Sequence, residues 1–198
     1  MEKHDKALPL VGLLFLIWGV SALILGINDA NPSIIFWLCY SSLILIGISI
    51  LKKDSYLLVS QLNILTLPMI LWTIDFVFYL LNGHSIFGIV DYFFQDSPNL
   101  AKIISLQHIF TLPLSFYALH KLKVKTNNSW MASFFQMIII FILGRTYSSV
   151  AANVNCVYEP CVNLTLDAQA YYILWFLVSF IVVIGTNQII NKIKAFKE

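Results

Sequence analysis

Leu, Ile, Phe and Val gather along the chain into runs of about 18 to 25 residues, each parted from the next by a short polar segment. An α-helix rising ~1.5 Å per residue needs a run of that length to cross a ~30 Å hydrocarbon layer. The runs lack the period-two alternation of membrane strands, and lipid forces every backbone N–H and C=O to pair within the protein, so the pattern predicts helices and not a barrel. Spans are predicted over 8–27, 34–51, 56–82, 101–120, 131–150 and 169–190. Turn-forming segments separate them, namely Asn28-Asp29-Ala30-Asn31-Pro32-Ser33, Lys52-Lys53-Asp54 and the basic stretch from Lys121 to Trp130. The expected fold is an all-α integral membrane protein, a single domain built as a bundle of six transmembrane helices. After the third span, Ile86, Val90, Phe93 and Phe94 share one helical face, and His84, Gly88, Asp91 and Gln95 share the opposite one. This predicts a short interfacial helix with its apolar side in the headgroup layer.

Composition agrees with this reading. Hydrophobic residues make up 59% of the 198 and charged residues 11%, against roughly 45–50% and about 25% in soluble domains. Twelve basic and ten acidic residues are too nearly balanced to suggest nucleic acid as a partner, and membrane lipids are the expected surroundings. Lys3, Lys6, Lys52, Lys53, Lys121, Lys123, Lys125, Lys192, Lys194 and Lys197 all fall on one side of a six-span chain, leaving Lys102 and Arg145 on the other. By the positive-inside rule both ends are cytoplasmic, and the expected location is the plasma membrane. The first run, about 20 residues with no small-residue cleavage site after it, is read as a retained helix and not a signal peptide. No internal repeat and no glycine-rich phosphate loop is found.

Ionisable groups inside spans are costly, so each needs a partner or a task. Asp75, seven residues before Asn82, His108, seven residues past Ala101, and Arg145, near its helix exit, are expected at one level of the outer leaflet, roughly 10 Å deep for the first two. His84 and Asp91 on the interfacial helix would close over them. On the fourth span Ser105, His108, Thr111 and Ser115 form a polar stripe, and Pro113 frees a backbone carbonyl near His108. His84, Asp91, His108 and Asp75 are the candidate catalytic groups, because a His held by an Asp can activate water or a lipid hydroxyl. Arg145 with Asn153 and Asn155 of the following loop are the candidate substrate-binding groups. Two His and two Asp would also suit a divalent metal such as zinc, although no His-x-x-x-His or Glu-bearing zinc motif is present. The structural alternative is an Asp75–Arg145 ion pair fixing helix register, with a core histidine at 108 and two wetted groups at 84 and 91. Cys39 lies within an apolar run, whereas Cys156 and Cys161 flank a Glu-Pro turn in a loop expected outside, where a disulfide is favoured. Asn163-Leu164-Thr165 in that loop is an N-glycosylation sequon. Gln61, Asn63, Gln136 and Asn187 within spans are expected to hydrogen-bond between helices.

Four segments in order, Trp72-Thr73-Ile74-Asp75-Phe76, Gly83-His84-Ser85 with Gly88 and Asp91-Tyr92, Ser105-Leu106-Gln107-His108 with Pro113, and Asn153-Val154-Asn155, carry a likeness. Over roughly residues 55 to 160 the chain resembles an uncharacterised family of small prokaryotic multi-pass membrane proteins. Cys156 stands where that pattern often has an aromatic residue. The resemblance implies a multi-helix membrane fold and supplies no activity. A looser likeness joins the chain to membrane acyltransferase-like proteins of six or seven helices. The expected function is an enzyme acting on a lipid or lipid-linked substrate through a polar pocket in the outer half of the bilayer, because the cytoplasmic half lacks the matching chain of charges and the inverted repeat that alternating access would need. A small-solute or ion transporter and a non-catalytic scaffold or assembly subunit are the alternatives; no protein partner is indicated.

Overall fold

The computed structural model describes residues 6–28, 32–95, 99–161 and 167–197. Lys3 and the sequon Asn163-Leu164-Thr165 lie outside the described residues. Among those residues the regular structure is entirely helical. In chain order the helices are α1 (Ala7–Ile27), α2 (Leu38–Leu51), α3 (Ser55–Asn82), α4 (Asp91–Phe94), α5 (Asn99–Ser105), α6 (Gln107–Leu122), α7 (Trp130–Tyr147) and α8 (Ala168–Lys192). Within α1, α3, α7 and α8 lie four segments long and apolar enough to cross a membrane, and no more than 33% of the most apolar stretch of any of them is buried. Large apolar side chains such as Leu10, Leu81, Phe135 and Ile173 are at least 65% exposed. A surface of that kind suits hydrocarbon, not water.

Two expected spans are broken. The 34–51 run divides into a 3-10 turn, Pro32–Phe36, an extended Trp37 and the 14-residue α2. The cause is tertiary: Asn155 accepts from Leu38 N at 2.8 Å and donates to Phe36 O at 2.7 Å, occupying backbone groups that a continuous helix would have paired. The 101–120 run is likewise interrupted at Leu106, between α5 and α6.

α1 and α2 pack through small residues. Gly12, Gly19, Ala22 and Gly26 lie on the buried face of α1, and a Cβ on Gly47 of α2 would stand 2.8 Å from Gly12 O. Close approach of backbones is how helices associate where lipid removes the usual hydrophobic drive. One apolar core joins α1, α2, α3 and α6 around Phe15, Leu43, Ile46 and Leu62; a second joins α3, α7 and α8 around Met137, Trp175 and Val183. Between helices, Gln61 donates to Gln136 Oε1 at 2.8 Å, and Asn63 donates to Ser133 Oγ and Asn187 Oδ1, each at 3.2 Å. α3 begins at Asp54, whose carboxylate accepts from Leu57 N, and ends at Gly83 in the left-handed region (φ 75°). Both are standard helix boundaries.

The bundle has two recognisable ends. At one, Val124 N donates to Phe196 O, and Lys123 Nζ donates to Ala195 O. At the other, the 153–161 loop meets the Phe36–Leu38 backbone, and the 83–95 segment folds over α3.

Candidate functional site

The segment after α3 is organised by Asp75. Its carboxylate is fully buried and accepts four backbone N–H groups: Ile86 (2.7 Å) and Phe87 (2.9 Å) on Oδ1, Ile89 (2.9 Å) and Val90 (3.2 Å) on Oδ2. Turning those amides toward one carboxylate is incompatible with a helix through them. Accordingly the expected interfacial helix is reduced to Asp91–Phe94, preceded by turns with Gly88 at φ 78°. Asp75 thus spends its acceptor capacity on the fold, since both carboxylate oxygens are turned to backbone amides of this segment.

An aromatic layer seals this knot. Phe76 and His108 stack on Trp72 with centroids at 4.9 and 4.6 Å, and Phe94 stacks on Tyr79 at 3.7 Å. Trp72 Nε1 donates to the Tyr92 hydroxyl at 3.1 Å, which donates to Ser105 Oγ at 3.2 Å. His108 Nδ1 lies 2.7 Å from Ser105 O; a carbonyl only accepts, so Nδ1 carries the hydrogen. His108 therefore belongs to the wall between α3 and α6.

Arg145 is elsewhere. Its guanidinium lies between the rings of Tyr158 (4.3 Å) and Tyr172 (4.5 Å) and donates to the Tyr172 hydroxyl at 2.8 Å. Tyr158 closes the end of α7 by donating to the carbonyls of Arg145 and Ser148. The expected meeting of Asp75 with Arg145 does not occur: backbone amides neutralise one and aromatic faces the other.

Asn153 and Asn155 are loop clamps. Both have positive φ (37° and 55°), a conformation Asn tolerates better than other side-chain-bearing residues. Asn153 Oδ1 accepts from Tyr158 N at 3.0 Å and its Nδ2 donates to Glu159 O at 2.9 Å. Asn155, besides its two bonds to the 36–38 backbone, receives Trp175 Nε1 on its own carbonyl at 3.2 Å. The amides of both are engaged by the loop and by the backbone beside it. Cys156 and Cys161 are joined in a disulfide with Cα atoms 5.5 Å apart, and Tyr171 donates to Cys156 O.

Two of the expected site residues do come together. His84 and Asp91 line an open pocket of about 300 Å³ with Tyr79, Gly83, Ser85 and Gln95. His84 Nδ1 lies 3.1 Å from Asn82 O and so holds the hydrogen, which makes Nε2 the basic nitrogen of the ring. Gln95 was already on the His84 face of the sequence pattern. Tyr79 escaped notice as an ordinary residue in an apolar run; its position one turn past Asp75 was the available signal. Among the described residues no three His, Cys, Asp or Glu side chains gather closely enough to hold a metal ion, so the zinc expectation finds no donor set. The polar stripe on α6 also differs from the expected one. Gln107, Thr111 and Ser115 are fully buried at spacing four; Thr111 Oγ1 and Ser115 Oγ have no hydrogen-bond partner, and the Gln107 amide has the weakly bonding Cys39 thiol beside it. No protein-family model, curated protein or solved structure matches this chain.

Proposed function

We propose that this is a six-crossing plasma-membrane protein with both ends in the cytoplasm, acting at the outer face on the polar head of a lipid or lipid-linked substrate. The observation carrying this reading is the pocket that brings His84 and Asp91 together beside Tyr79 and Gln95. α5 and α6 together make the fourth crossing and α2 with its preceding turn the second; ten of the twelve basic residues then share the cytoplasmic side. The resemblance to the uncharacterised prokaryotic family is consistent with this arrangement.

Within the pocket, His84 Nε2 serves as general base toward water or a substrate hydroxyl, and Asp91 orients the nucleophile or stabilises the imidazolium that forms. Tyr79 and Gln95 supply an aromatic face and an amide for the head group. Asp75 acts at a distance, as the positioning residue that holds the His84–Asp91 backbone in place. The test is to incubate the full chain in nanodiscs with total lipid from its host and to compare product profiles by mass spectrometry. Wild-type protein should convert at least one lipid class, and His84→Gln should convert none while retaining its thermal stability. Identical profiles for the two proteins would sink the enzymatic reading.

Transport is the second reading, favoured by the unpartnered stripe on α6. Pro113 in α6 interrupts the helical ladder between Thr111 and Ser115, and interrupted helices with polar groups near mid-depth are a common setting for solute sites. Thr111→Cys should then react with silver ion in the folded protein, whereas Leu43→Cys, at a fully buried apolar position, should not.

A further inference from the structure

A second pocket, of about 320 Å³, lies at the opposite end of the bundle from His84, between the start of α7 and the end of α8. It is lined by Asn127, Trp130, Ile184, Asn187, Gln188, Asn191 and Lys192. The five residues from α8 fall at spacing 3, 1, 3 and 1, which places them on one face over two turns. That face is graded: apolar at Ile184, amide at Asn187, Gln188 and Asn191, cationic at Lys192.

The wall is built. Asn187 is 5% exposed and bridges the bundle, accepting from Asn63 Nδ2 at 3.2 Å and donating to Asn127 O at 2.9 Å. Asn191 donates to Asn187 O at 2.7 Å. Ser129, between the lining residues Asn127 and Trp130, is fully buried with a hydroxyl that has no hydrogen-bond partner. No carboxylate lines the pocket, whereas Lys121, Lys123, Lys125, Lys194 and Lys197 lie in the neighbouring segments. Beside it the α7 and α8 surfaces are apolar and open, with Met131 54%, Phe135 65% and Ile181 59% exposed.

We infer that this pocket binds an anionic phospholipid of the cytoplasmic leaflet. The phosphate sits against Lys192 and the amides of Gln188 and Asn191, the glycerol region against Trp130, and an acyl chain runs over Ile184 toward Phe180 and Phe135. A cation is disfavoured by Lys192 and by the lack of carboxylates. A zwitterionic head group would offer the same phosphate but bring its own quaternary ammonium up against Lys192 and the neighbouring lysines. An anionic head group answers both, and the helix gradient matches the order of groups along a lipid. This inference is independent of any chemistry at His84.

The experiment uses the full chain in detergent and native mass spectrometry, titrating palmitoyl-oleoyl phosphatidylglycerol, the matching phosphatidylcholine and inorganic phosphate separately. Phosphatidylglycerol should bind several-fold more tightly than phosphatidylcholine. Lys192→Gln should weaken it about fivefold, as for one lysine near an anionic surface. Gln188→Ala, at an exposed position, provides a second variant that leaves the bundle intact and should weaken binding about threefold. Lys53→Gln, outside the pocket, should change nothing. Equal binding of the two lipids, or an equal effect of Lys53→Gln and Lys192→Gln, would overturn the pocket assignment. Occupancy by inorganic phosphate at the same concentration would overturn the lipid and leave a free-anion site.

Discussion

Asp75 on α3 and Gln107 on α6 flank the same contact, the stacking of Trp72 on His108, and both are completely buried. Asp75 receives four backbone hydrogen bonds, whereas the Gln107 amide meets no backbone group and has the weakly bonding Cys39 thiol beside it. The more strongly polar group is thus the better accommodated. The difference lies in the neighbouring chain. Beside Asp75 runs an irregular segment whose amides are free to turn inward, while Gln107 is packed within a bundle whose backbone groups are already paired in helices. An acidic side chain buried in an apolar bundle therefore need not mark chemistry; here it supplies the hydrogen bonds that a connecting segment would otherwise lack. A neutral amide with no partner stronger than a thiol is the more unusual feature, since buried polar atoms are nearly always well satisfied.

The comparison can be broken by substitution. Asp75→Ala should have the largest effect, since it strands four backbone amides, that of Val90 buried and those of Ile86, Phe87 and Ile89 part-buried, where a buried unmade bond costs about 1–3 kcal/mol. Allowing for partial rehydration, a loss of about 4 kcal/mol is expected, read as a large fall in unfolding midpoint in detergent together with protease sensitivity at 83–90. Asp75→Asn should recover only part of this, because an amide offers one acceptor oxygen and turns two hydrogens toward donors. If Asp75→Ala left stability unchanged, the carboxylate would not be organising the segment.

Asn155→Ala should cost about 2 kcal/mol, because it removes the bonds to Phe36 O and Leu38 N and places a less tolerant residue at positive φ. Hydrogen exchange at Leu38 is the specific readout. Reducing the Cys156–Cys161 bridge should cost a similar or smaller amount, about 2 kcal/mol at most for so short a ring. Alkylation and mass analysis before and after reduction check the bridge itself.

Gln107→Leu should have the smallest effect and the opposite sign. Replacing a weakly paired buried amide with an apolar side chain of similar size is expected to leave stability unchanged or raise it by up to about 1 kcal/mol. A clear loss that Cys39→Ala does not reproduce would mean that Gln107 has a partner besides the Cys39 thiol, such as water entering along the α6 stripe. That result would strengthen the transport reading over the enzymatic one.

The all-helical character, with helices long and apolar enough to cross a membrane, was legible from composition and run length alone, because ~20 apolar residues in a row suit a spanning helix and few other structures. The amide contacts among Gln61, Gln136, Asn63 and Asn187 were legible as well, since buried amides within apolar helices seek each other. Run length could not show the breaks at Trp37 and Leu106. The first rests on Asn155, 117 residues from Leu38. Nor could depth along a helix show which way Asp75 and Arg145 face: shared depth fixes one coordinate, whereas an ion pair also needs the right rotation about both helix axes. Helical periodicity was a correct guide to the His84, Asp91 and Gln95 face. It failed for the backbone beneath, because four amides bound to one carboxylate outweigh the local preference for a helix, and only the folded chain brings that carboxylate within reach.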